Sequence, residues 1–298
     1  MRAWRGRMLI EFYRGNGGAA LDLSEEAARA GGQEIETLLA RAEAFANTCP
    51  SDLAMPLLDR VLALDQGNQA AAWLRVTAFH QSDRLREFLP VALDYRMRFG
   101  DDAWVSVLHS NVLAQLNDVT GASAVLEPFV DRLMMPSLPA ENVTSFDLAA
   151  MIGGGVFAQR AGREARARDL WRRGLELTLE GQQEDPESGV LKLFAASFRG
   201  FAGDAAFSAE AERTMKEIAA ANLNPWALVY LALAHGYRGD TARALEVLRY
   251  GLSHGRLTGH PWMTVWAPAL KDAPGFAELL RDYDREAERR RRRYGRAS

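Results

Sequence analysis

The chain is short of three things. Of its 298 residues one is cysteine, Cys49, and three are lysine, Lys192, Lys216 and Lys271, although Lys and Arg together number 36. It also holds no apolar run near the roughly 20 residues that a membrane-spanning helix needs, so membrane insertion is not expected. A single thiol excludes an internal disulfide framework and fits a reducing compartment. Scarce lysine points to a GC-rich bacterial genome and says nothing of activity. Residues 1–15 are basic with a short apolar patch, but Glu11 and Arg14 interrupt it and no small-residue cleavage site follows. A secretory leader is therefore not expected, and a cytoplasmic location is. The net charge of −3 leaves no footprint of wholesale nucleic-acid binding. With 48% hydrophobic and 25% charged residues, the balance is that of a folded chain able to bury a large core.

What is present is small residues at helical spacing, most clearly in residues 225–255. Leu228, Leu231, Ala232, Ala234 and His235 recur on one helical face, Arg238-Gly239-Asp240 breaks the run, and Ala244, Leu245, Leu248, Gly251 and Leu252 resume it. Two helices folded back on each other are expected. Ala232 and Ala244 fall where the axes must approach closely, and Gly251 is expected to leave room for the next hairpin. This spacing resembles the tetratricopeptide repeat, with His235 in place of the Tyr and Arg256 in place of the terminal Pro.

At the 34-residue period of that family, four windows run in phase from residue 1. Trp4, Gly15, Ala20 and Ala27 mark the first; Leu38, Ala42, Phe45, Ala54, Leu58 and Val61 the second, with Asn47-Thr48-Cys49-Pro50 as its turn. The third is weaker, because bulky Phe88 takes a small position and the turn near Ser82-Asp83 looks a residue short. Leu113, Asn117, Ala122, Leu126 and Phe129 restore the pattern in the fourth. Pro136 and Pro139 then end a helix, so residues 137–145 are expected to be a linker. Gly155, Gly162, Ala167, Trp171 and Gly174 mark a fifth unit, and Gly203-Asp204 the turn of a degenerate sixth. Residues 146–260 thus hold three further hairpins, the last being 225–258. Residues 261–298 no longer fit the period. Their Trp266, Pro268, Leu270, Pro274, Phe276, Leu279 and Leu280 resemble the endings of tetratricopeptide arrays in bacterial signalling and regulatory proteins, and a solenoid needs such a cap. The expected fold is an all-α, right-handed superhelix of about seven hairpins with a C-terminal helical cap and a basic tail, standing alone or as a piece of a longer chain.

No constellation for catalysis stands out. Gly153-Gly154-Gly155 has no preceding strand and no following Gly-Lys-Ser or Gly-Lys-Thr, so close helix packing is favoured over a phosphate loop. His235, His254 and His260 share a region but match no helical ligand spacing. Cys49 has no obvious neighbouring base. Asp282 and Asp284, two apart on a helix, diverge. The run Arg289–Arg293 hints at nucleic acid, yet arginines at a helix C-terminus also complement its dipole, and that reading is preferred. No enzyme, metal or cofactor is expected.

The resemblance implies a concave face lined by the first helices and used to hold peptides or partner proteins. Carried onto this chain, its groove positions are Tyr13, Trp73, Gln81, Trp104, Asn111, Gln115, Gln159, Arg160, Trp226 and Tyr237. Amides can pair with an extended backbone and aromatics supply rigid contact area. Trp73 and Trp226 are equally open to a role as core residues between hairpins. The expected function is a non-catalytic scaffold for a peptide or protein. The alternative is a sensor module for a small molecule or peptide signal in a bacterial regulatory system.

Overall fold

A computed structural model describes residues 2–14, 16–30, 34–48, 51–81, 85–223, 226–255 and 263–295. Among the described residues there are sixteen α-helices and no strand. They pair along the chain as α1 (Arg2–Tyr13) with α2 (Gly17–Arg29), α3 (Ile35–Thr48) with α4 (Met55–Leu64), α5 (Gln69–Gln81) with α6 (Leu85–Phe99), and α7 (Ala103–Gln115) with α8 (Val119–Leu133). There follow α9 (Ser145–Arg160) with α10 (Glu164–Glu184), α11 (Gly189–Ala202) with α12 (Phe207–Ala220), and α13 (Leu228–Tyr237) with α14 (Thr241–Ser253). A short α15 (Met263–Trp266) and a long α16 (Phe276–Tyr294) complete the described chain.

Turn chemistry explains where the hairpins fold. Asn117, Gly162, Gly203 and Gly239 all take positive φ, from 65° to 83°, in the turns that close the fourth to seventh pairs. That left-handed conformation ends a helix, and Gly or Asn adopts it at least cost. The residue after two of them caps the next helix: Asp118 accepts from the Gly121 N–H and Asp240 from the Arg243 N–H. At α9 the cap is reciprocal, Thr144 accepting from the Asp147 backbone while Asp147 accepts from the Thr144 backbone.

First helices of successive hairpins touch in series, α1 on α3, then α5, α7, α9, α11 and α13, and so form a continuous inner layer. Small residues set its spacing. Ala232 and Ala244 are fully buried at the α13–α14 contact. The Gly153–Gly155 run sits in a stretch of α9 buried from Asp147 to Ala158, where a Cβ on Gly155 would lie 2.1 Å from the Trp171 ring and one on Gly153 3.0 Å from Trp266. Such close approach is what glycine permits. The array is tetratricopeptide-like.

Several expectations need correction. Gly251 packs toward its own partner helix rather than a following hairpin: a Cβ added there would meet Leu228 of α13 at an ordinary 3.6 Å. Asn47 and Thr48 belong to α3 rather than to a turn, while Cys49, Ser82-Asp83 and His260 lie outside the described residues. The expected linker 137–145 ends a residue early, since Ser145 already begins α9; residues 137–144 hold a 3₁₀ turn, Ala140–Asn142, packed on α10. Phe88, too large for its position, is accommodated between His80 and His109, with ring centroids at 5.9 and 6.4 Å. The basic tail continues a helix whose last residue, Tyr294, is buried against Phe45 of α3. The C-terminal helix therefore reaches the first hairpins.

Candidate functional site

Because the first helices lie side by side in one direction, residues early in each share one end of the inner layer. Trp73 lies in the first half of α5, Trp104 is the second residue of α7, Phe146 the second of α9, and Trp226 lies two residues before the start of α13. Their rings meet: Trp104–Phe146 at 5.2 Å, Phe146–Trp226 at 5.2 Å, Trp104–Trp226 at 5.6 Å and Trp73–Phe146 at 5.9 Å. All four are half-buried. Tilted and edge-on geometries at these spacings are the favourable ones for aromatic pairs. Trp104 is fixed further by its indole N–H, which donates to Thr77 Oγ1 at 3.2 Å. Behind this belt Phe194 and Tyr230 continue the contacts into the core. Burial pushes the Tyr230 hydroxyl well above the ordinary phenol range, so it stays neutral.

The other expected groove residues lie elsewhere. Gln81, Gln115, Gln159 and Arg160 end α5, α7 and α9, about 17 Å from the belt at 1.5 Å per residue over the length of α7. Arg160 reaches the Val265 carbonyl at 3.1 Å. Tyr237 ends α13, and its ring packs on Trp171 and Phe201, at 5.6 and 5.0 Å. Of Tyr13 the backbone lies in α1 and the side chain lies outside the described residues. Asn111 is on the inner face but is already engaged, accepting at 2.6 Å from the indole N–H of Trp266. Trp266 is fully buried against Phe157 and Tyr230.

The expected concave face is partly filled. The cap places Trp266 in the middle of it, and the half-buried belt remains at one end. Phe146 completes that belt and was missed in the sequence, where the fifth window was started one residue late. Counted from Ser145, it occupies the same second position as Trp104.

No group of three or more His, Cys, Asp or Glu residues that could hold a metal ion occurs among the described residues, and no described helix is long and apolar enough to cross a membrane. No protein-family model matches the chain, and no curated protein matches it. Among solved structures it is similar to a tetratricopeptide repeat protein from Parabacteroides merdae ATCC 43184, at 12% identity and a TM-score of 0.43, over 95% of this chain and 98% of that one.

Proposed function

We propose that the protein is a non-catalytic interaction scaffold that holds an extended segment of a partner protein across the belt of Trp73, Trp104, Phe146 and Trp226. The observation that supports this is four half-buried aromatic rings, from the third, fourth, fifth and seventh units of the array, meeting at one end of the inner layer. Aromatic anchors carry much of the binding energy at interfaces, and aromatic-lined surfaces accept prolyl and other apolar side chains of an extended peptide. The expected setting is a bacterial cytoplasm, in keeping with one cysteine and little lysine. Selection from a displayed-peptide library tests the reading. Enriched peptides should lose binding to Trp73→Ala, at the edge of the belt, and to Trp226→Ala, each checked for native helicity. Peptides that bind both folded variants as well as the parent would sink it.

A further inference from the structure

We infer that the junction between the first hairpin and α16 is a binding site for a small phosphate-bearing molecule. A cavity of about 760 Å³ lies there, bounded by the start of α2, the end of α14 and one face of α16. That volume is within the span of roughly 300–1,000 Å³ typical of small-molecule sites. Four of its lining side chains are arginines, Arg285, Arg289, Arg290 and Arg293, against two carboxylates, Asp282 and Glu286. Arg290 is only 8% exposed and is held rigidly in the wall by Glu286 and by the Gly255 carbonyl.

The other three are built differently. Arg285 bonds Asp282, Arg289 bonds Glu286 and Arg293 bonds Asp22, each through one terminal nitrogen, while 68%, 76% and 63% of the respective side chains stay exposed. A guanidinium has five donors in a fork that matches phosphate oxygens. Each therefore keeps donors to offer after its internal pair is made.

The opposite wall supplies backbone donors. Helix α2 begins with Gly17, Gly18 and Ala19, all in the cavity lining, and its first turn has no acidic residue. Its N-cap residue, Asn16, caps nothing, because the side chain is turned to Glu11 at 3.0 Å. An uncapped helix start carries partial positive charge and aimed N–H groups, which suit a phosphate. Arginines and helix start converge on the same cavity from elements at the two ends of the chain, so the ligand would also bridge those ends.

Gly18 offers a clean probe, since a Cβ added there meets nothing within 4 Å. Gly18→Asp puts a carboxylate where the phosphate would sit. Calorimetry and thermal melting on the full chain, with tripolyphosphate against sodium chloride at equal ionic strength, test the site. The wild type should show saturable heat and a rise in Tm, and both Gly18→Asp and the double variant Arg285→Gln/Arg289→Gln should weaken binding by at least about tenfold. Should Gly18→Asp not fold, the exposed arginine pair decides alone. The inference is overturned by no effect beyond that of chloride, by undiminished binding in the folded variants, or by tighter binding of a single-stranded oligonucleotide than of tripolyphosphate.

Discussion

Arg293 donates to Asp22 at 2.8 Å although 271 residues separate them in the chain. The next residue follows the same path, the Tyr294 hydroxyl donating to Asp22 at 3.0 Å and its ring packing edge-on against Phe45. One turn earlier Arg291 pairs with Asp52 at 2.9 Å. The last helix thus fastens onto the first two hairpins, and an array that stacks by neighbours also has an end-to-end contact. Which part of that contact holds it is a question of burial.

Tyr294 is 3% exposed, whereas 63% of the Arg293 side chain is open to water. Truncating a buried aromatic costs about 3 kcal/mol, while an exposed ion pair is worth less than about 1 kcal/mol. Tyr294→Ala should therefore lower stability in urea denaturation by about 3 kcal/mol. Arg293→Gln should stay within about 1 kcal/mol of wild type. Limited proteolysis should release α16 fragments early from the first variant alone. Equal effects of the two would place the closure in the ion pairs.

The glycines of the array separate into those that space helices and those that do not. Gly155→Ala drives a methyl to 2.1 Å from the buried Trp171 ring. Overpacking of that kind costs about 1–3 kcal/mol or more. Gly6→Ala, in α1 with nothing within 4 Å, removes the backbone entropy of a helical glycine and should stabilise by up to about 1 kcal/mol. Melting curves of the two variants should move in opposite directions. A Gly155→Ala protein as stable as the parent would mean that α9 and α10 have slack.

The same distinction decides what was legible in the chain. Hairpin turns announce themselves locally, since Asn117, Gly162, Gly203 and Gly239 are at once the breaks in the apolar pattern and the residues at positive φ. The small residues at Gly155, against Trp171, and Ala232 likewise report a neighbour close by in sequence, whereas Gly153 meets the distant Trp266. What joins distant parts leaves no periodic trace. Nothing around Asn111 shows that an indole 155 residues later will take its oxygen, and a groove register alone made it a contact for guests. Arg289–Arg293 read as one solvated run because charge content is local, whereas Asp22 and Asp52, which receive two of its members, come from the other end. The belt was half visible. Its tryptophans stood at expected groove positions, and Phe146 escaped because a capping box starts α9 one residue before the assumed window.

Two buried histidines should make the protein acid-sensitive well above the carboxylate range. Burial, and second to it the charge of Arg96, holds His109 below its ordinary value of 6.5; burial does the same at His235, with Asp240 pulling the other way. Above 6.5 the imidazoles are neutral in both folded and unfolded chains, and their contribution is complete. As the pH falls below 6.5, the unfolded chain takes up protons that the folded one refuses, so stability drops until the folded values are passed. Each histidine can contribute a slope of up to about 1.4 kcal/mol per pH unit within that window. Calorimetric melts should show Tm falling from about pH 7 toward pH 5, and the double variant His109→Gln/His235→Gln should flatten that fall. The loss below pH 4.5 should persist in the variant, because carboxylates such as Glu286, whose bonds to Arg289 and Arg290 outweigh its desolvation and hold it below its ordinary value, titrate there. A slope between pH 6.5 and 5 that survives both substitutions would place the responsible proton outside these two helices.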